Sequence, residues 1–354
     1  MTKFSQRIHN YCAKKVRYYW AHTSEYRFTI TPRDNKICVV ISQDLAKSGI
    51  LLNSEKLCES STNFELFSAK KQDNTLLSSN LLVPIGSGKS YIQILAGIQS
   101  MKTAKLFLLL HDPKALVDYL GINSDLEVQG IFVHSDAAKK YLLENCKFIA
   151  EKIFVLGTGV PVLLQPPREN KTRNSKTIGT AGYWHKARDL KKTAQVLALL
   201  LHENRQINAL WIGSLRLRQK FRVLWILKRK RIYKRVKFLE ANSNNEFIEA
   251  IKMMDCALYL RKSSSQESSG LLIELAAQGI PTVRNDMGSN LELPTELFQK
   301  LPSSATLMEY ANLVSRVLDS NDWSELSSKL IDYAKNHNIE KYSEEIQTVL
   351  NKII

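Results

Sequence analysis

The chain alternates compact apolar runs with longer stretches whose apolar residues recur at helical spacing. Runs of strand length fall at ICVVI (37–41), FELF (64–67), LLVP (81–84), LFLLL (106–110), IFVHS (131–135) and IFVLG (153–157). A second series falls at 177–181, NALWIG (208–213), VKFL (236–239), CALYL (256–260) and from Pro281 to Val283. Continuous apolar strands belong in a parallel sheet covered on both faces. Helical patterns lie between them: PKALVDYL, DAAKKYLLENC, a helix beginning near Asp189, and NEFIEAIKMMD. Strands alternating with such helices predict an α/β fold built from βαβ units. LLQPPRENKTRNSKT (163–177) has Pro-Pro, many charges and no period, and reads as a linker. The expected organisation is a first domain over 1–163, a linker over 164–177, a second domain over 178–340 and a terminal helix over 341–354.

The unit over 256–294 is the most informative. A strand (Cys256–Leu260) leads into a loop of small polar residues with one carboxylate, Glu267, after which Gly270 opens the apolar helix LLIELAAQ. Gly279 stands where a glycine stop ends a helix, and a strand follows Pro281. Open α/β sheets bind ligands at such strand-to-helix loops. The backbone N–H groups of Gly270 and Leu271 are unpaired donors at the positive end of the helix dipole, which suits a diphosphate. Glu274, about one turn in, is placed to accept hydrogen bonds from a ribose diol.

At 354 residues the chain has room for two α/β domains. No apolar run approaches the roughly 20 residues that span a bilayer, and the N-terminus has no apolar core of a secretory signal. Five scattered cysteines (12, 38, 58, 146, 256) form no CxxC pair and no metal spacing, the pattern of reduced thiols in a cytoplasm. The net charge of +16 favours an anionic partner: a membrane surface, a nucleic acid or a phosphorylated substrate. Much of it is concentrated in SLRLRQKFRVLWILKRKRIYKR (214–235), where Leu217, Phe221, Leu224, Trp225 and Leu227 recur near helical spacing. Three readings fit this segment: a membrane-surface helix, a nucleic-acid patch, or a core-facing helix with a solvated basic face.

Glu267, Gly270, Glu274, Gly279, Pro281, Gly288 and Glu292, with Leu260-Arg261 before them and Pro294 after, fall in an order that resembles the nucleotide-sugar half of retaining GT-B glycosyltransferases. A bacterial envelope-polysaccharide subset, of the group 1 or family 4-like type, shares the LR…ESSG…ELP pattern. The resemblance implies two Rossmann-like domains with parallel sheets facing a cleft. It implies transfer of a hexose from a nucleotide-diphosphate sugar to a hydroxyl of a glycan or lipid-linked acceptor, with retention at the anomeric carbon. It also assigns roles. Glu267 holds sugar hydroxyls, Glu274 the ribose, and His111 contacts the transferred sugar from the opposite domain. Ser269, Gly270 and Leu271 line the donor site, and Gly49, in a Ser48-Gly49-Ile50 turn, approaches donor phosphate or acceptor. A basic residue after Gly182 grips the diphosphate; spacing from that glycine favours Arg188, the following small residues favour Lys186, and both are kept.

The chain departs from the pattern in two places. Six residues, Ser268–Ile273, separate the two glutamates, one fewer than usual. Thr180 or Ala181 stands where many relatives carry an arginine. No cofactor is expected, and fixed positive groups with no Asp-x-Asp at a strand end imply metal independence. Closure of the two domains would exclude water and limit hydrolysis of the donor. An acceptor of lipopolysaccharide type and the basic segment together imply a cytoplasmic protein, peripheral on the inner face of the membrane.

Rival classes are weighed by what is missing. IGSGKS (85–90) invites a P-loop, but the first glycine of that motif would fall on Val83. A dehydrogenase or epimerase needs GxGxxG after the first strand, which is absent. A nucleic-acid binder is supported by charge alone, and a catalytically degenerate GT-B protein by the two departures. At Asp112, helix capping and a role in the site are both open.

Overall fold

A computed structural model describes residues 25–31, 36–43, 49–71, 73–86, 89–99, 101, 104–120, 126–146, 150–160, 164–166, 176–182, 184, 188–241, 243–262 and 269–354. The described residues form two compact units, one taking in those up to 160 together with Ile339–Ile354, the other those from 164 to 338.

In the first unit, β1 (Arg27–Ile30), β2 (Ile37–Ser42), β3 (Phe64–Ala69), β4 (Asp73–Leu76), β5 (Asn80–Ile85), β6 (Lys105–Leu110), β7 (Gly130–Val133) and β8 (Ile153–Val155) follow in chain order. Six make an all-parallel sheet in the order β3-β2-β5-β6-β7-β8, and β1 and β4 pair separately. The central strands are mostly apolar because both faces are covered, and β2 and β5 are buried at all six positions, the polar Ser42 and Asn80 at their ends included. Helices α1 (Gly49–Glu59), α2 (Lys89–Gln99), α3 (Pro113–Leu120) and α4 (Asp136–Asn145) make the crossovers. One core holds Val40, Leu81, Val83, Leu108, Ile131 and Leu142; the other holds Val39, Leu82, Phe107 and Phe132.

The second unit contains β9 (Lys176–Thr180), α5 (Leu190–Glu203), β10 (Ile207–Ile212), α6 (Leu217–Arg229), β11 (Val236–Leu239), α7 (Asn244–Ile251), β12 (Cys256–Tyr259), α8 (Gly270–Ala277), β13 (Thr282–Asn285) and β14 (Phe298–Leu301). Helices α9 (Leu307–Asp319) and α10 (Trp323–Lys335) follow. Its sheet is parallel in the order β11-β10-β9-β12-β13-β14, the classic doubly wound order. The strand sequence reverses between β9 and β12, so the ligand crevice belongs outside their carboxyl ends. Helix α8 ends in a Schellman turn: Gly279, at φ +62, donates to Ala276 O and Ile280 to Leu275 O. The terminal helix α11 (Ile339–Ile353) packs in the first unit, placing Ile339, Tyr342, Ile346 and Leu350 against Val39, Leu57, Phe64 and Phe132.

Two sequence readings change. Gly49 is the first residue of helix α1, not the middle of a turn. The apolar positions of the basic segment do not form one face: Val223 and Leu227 are buried in the core, while Leu217, Phe221 and Trp225 point outward.

Candidate functional site

Strand β9 ends at Thr180, whose hydroxyl donates to Leu258 O across the sheet. Gly182 follows with φ +101, a left-handed backbone that an added Cβ would strain. That Cβ would stand 2.9 Å from Leu271 Cδ2 and 3.6 Å from Arg188 Nη1. The end of β9, the first turn of α8 and Arg188 therefore meet at one point, the place where the strand order reverses.

Arg188 is held there from several sides. Its main chain bridges to Arg261 at the end of β12, and the next N–H, that of Asp189, donates to Leu260 O. Asp189 then caps α5 by accepting from the Lys192 amide. The guanidinium lies 4.6 Å from the Trp184 ring and 4.1 Å from that of Tyr259, and Nη1 donates to Ala181 O. Only 5% of Arg188 is exposed, and Nε and Nη2 meet no acceptor among the described residues. Burial lowers its pKa to about 10; Tyr259 opposes that shift and Arg261 adds a weaker repulsion. At neutral pH it stays a cation. A buried cation with unused donors is costly unless an anion meets it.

The first turn of α8 offers further donors. Ser269 precedes the helix without capping it through its side chain, and its carbonyl accepts from the Leu272 amide. The amides of Gly270 and Leu271 occupy the first two helical positions, which have no partner within a helix. Glu274, half-buried on the same helix, is raised by desolvation to about 7. Glu267 and Lys186 lie outside the described residues, as do Ser48 and the Gly-rich positions 87–88.

In the first unit, His111 leaves the end of β6, its amide donating to Ile85 O, and Asp112 caps α3 through Oδ1 and the Lys114 amide. The His111 ring lies 5.0 Å from that of His134, which lies 5.6 Å from that of Tyr342. Burial and the neighbouring imidazole hold His111 well below its ordinary pKa, and burial lowers His134 to about 4. Both rings are neutral at pH 7. His111 Nε2, His134 Nε2 and the Tyr342 hydroxyl have no partner among the described residues. His134 and Tyr342 were not singled out in the sequence. A histidine ending a buried strand was the available signal for the first; no local signal marks the second. Gly86 is explained by packing, since a Cβ there would lie 2.8 Å from both Ile50 Cδ1 and the Tyr91 ring.

Two parallel, doubly wound units in one chain define the GT-B architecture of glycosyltransferases. Among solved structures, the chain is similar to HepE of Anabaena in complex with UDP and glucose (TM-score 0.69, 12% identity, 90% of this chain and 100% of that one). It is similar to a glycosyltransferase of Rickettsia africae (0.69, 13%, 90% and 99%) and to the lipopolysaccharide outer core galactosyltransferase WaaB in its apo form (0.65, 14%, 90% and 100%). No protein-family model and no curated protein sequence matches the chain.

Proposed function

We propose that this protein is a retaining glycosyltransferase that moves a hexose from a nucleotide-diphosphate sugar to a hydroxyl of a glycan or lipid-linked acceptor of the bacterial envelope, such as lipopolysaccharide. The observation that carries the reading is Arg188, a buried cation beside the α8 N-terminus at the switch point of the second sheet; its Nε and Nη2 meet no acceptor among the described residues. In the reaction, negative charge grows on the leaving diphosphate as the anomeric carbon gains oxocarbenium character. Fixed donors aimed at that charge lower the barrier without reorganising. Arg188, Lys186 and the amides of Gly270 and Leu271 supply them, which makes a metal ion unnecessary, and no cofactor takes part. Ser269 lines the donor site, Glu274 accepts from the ribose diol, and Glu267 holds sugar hydroxyls. His111, kept neutral, offers a hydrogen bond to the transferred sugar without adding charge. Gly49 begins α1 in the first unit and is assigned to donor phosphate or acceptor. A lipid-linked acceptor places the enzyme on the cytoplasmic face of a membrane, with the basic segment at 214–235 drawn to anionic lipid.

The likeness to HepE with UDP-glucose makes uridine the first base to test. A thermal-shift panel with UDP, GDP, ADP and their sugar conjugates, with and without EDTA, is the direct assay. A ligand at 100 times its Kd adds about 2.7 kcal/mol to the folded state. One nucleotide family should raise the melting temperature, unaffected by EDTA, and the rise should vanish in Arg188→Ala. No rise with any nucleotide at millimolar concentration would shift the reading to a GT-B protein without transferase activity.

A further inference from the structure

Helix α6 buries one face and presents a second apolar face to solvent. Val223 and Leu227 are fully buried in the core of the second unit. Leu217, Phe221 and Trp225 are 70%, 64% and 62% exposed. Their spacing of four residues lines them up on one side of the helix. Scattered exposed apolar residues need no explanation, but three large ones in a row on a helix that is already anchored do.

The fringe of the stripe is basic. Arg218, Arg222, Lys228 and Arg229 are exposed on the same helix, and no Asp or Glu occurs anywhere from 204 to 239. The Arg229 guanidinium lies 5.2 Å from the Trp225 ring, and the Lys228 ammonium 5.8 Å from the ring of Tyr233, which is itself exposed. A thirteen-residue helix is too short to span a bilayer, and no helix among the described residues is long and apolar enough to cross one. A short helix with an apolar line edged by cations has the form that lies in the plane of an interface, side chains down and charges at the headgroups.

We propose that α6 docks the protein on an anionic lipid bilayer, with Leu217, Phe221 and Trp225 entering the boundary between headgroups and acyl chains and the flanking cations meeting lipid phosphates. Charge complementarity selects lipid of negative headgroup charge. A nucleic acid would satisfy the cations but not the aliphatic and aromatic line, which favours the bilayer. The inference deepens the lipid-linked acceptor of the proposed reaction, yet vesicle binding is measured without any donor or acceptor, so each reading can fail alone.

The test is co-sedimentation of the full chain with vesicles of phosphatidylcholine alone and of phosphatidylcholine with one-third phosphatidylglycerol, at low and high salt. The protein should pellet with the anionic vesicles and remain in solution with the neutral ones. The double variant Phe221→Ser, Trp225→Ser should bind at least about tenfold more weakly. Arg222→Gln with Arg229→Gln should weaken binding chiefly at low salt, where surface charge is least screened. Unchanged melting temperatures would show that the variants fold, since both sites are exposed. Equal pelleting of the double variant, equal binding to neutral vesicles, or binding of single-stranded or duplex RNA lost in place of vesicle binding would each overturn the proposal.

Discussion

If Glu274 accepts from the ribose as proposed, folding and binding conflict in this one carboxyl. Desolvation raises it to about 7 from the usual 4.5, so the folded protein holds this proton more firmly than the unfolded chain. Its contribution to stability is full below about pH 4.5 and is lost as pH rises through about 7. Glu274→Gln removes that term. The melting temperature of the wild type should therefore fall relative to the variant between about pH 4.5 and 7 and run parallel to it above, a difference readable by thermal scans at a series of pH values. A diol prefers the ionised form, so nucleotide affinity of the wild type should rise with pH over the same window, and calorimetry in two buffers should detect proton release on binding. No pH-dependent difference between the two proteins would show that the carboxyl is already ionised. The positions of Arg188 and Glu274 near the turn could be counted from Gly182 and Gly270, though the count kept Lys186 beside Arg188. Those of His134 and Tyr342 could not, because they meet through a fold that brings positions 208 residues apart, 342 less 134, into one cluster.

At the scale of elements, the strands that were legible are those with a compact apolar run, whether buried throughout, as β7 is, or only in part, as β3 and β11 are. β4 reads DNTL and alternates exposed with buried, and β14 reads FQKL with one fully buried residue; such short polar edges carry no apolar run to detect. The periodicity of α6 announced a helix but not that it has two apolar faces, because spacing says which residues align and not which neighbour covers them. Glycines mark the ends of elements more firmly. Gly213 ends β10 with φ +108, and a Cβ there would strike the Gly182 carbonyl oxygen at the end of β9. Gly213→Ala must strain both strand ends together, at a cost of order 1–3 kcal/mol. The expected result is a lower urea midpoint with an unchanged slope, together with weaker nucleotide binding because Gly182 supports Arg188 and Leu271. A lower midpoint with nucleotide affinity intact would separate the two strand ends from the site.

At the scale of the whole molecule, the first unit is closed by the last helix of the chain. Ile339, Tyr342, Ile346 and Leu350 are at most 5% exposed, and they cover Val39, Leu57, Phe64, Phe107 and Phe132. A Cβ on Gly159 would collide with the Tyr342 side chain, so the segment after β8 is shaped to receive the helix. The sequence marked a terminal helix over 341–354, but its own residues do not name the core it covers, since an apolar face names no partner. Burial of four such side chains is worth about 1.5–3 kcal/mol each, roughly 6–12 kcal/mol together, against a total of about 5–15 kcal/mol for a typical domain. A chain ended after Asn338 should therefore leave the first unit unable to fold stably, while the second keeps its own core of Trp211, Leu258, Val283 and Tyr310. Calorimetry of the intact protein and of this truncation separates the two contributions. The truncated chain should retain the transition that the nucleotide raises and lose the other, or have it lowered by more than about 10 °C, since each kcal/mol moves the midpoint of a unit this size by about 2–4 °C. It should also bind hydrophobic dye, because the uncovered face is apolar from β2 through β7. Two undisturbed transitions would mean that the sheet supports itself and that α11 only rests on it.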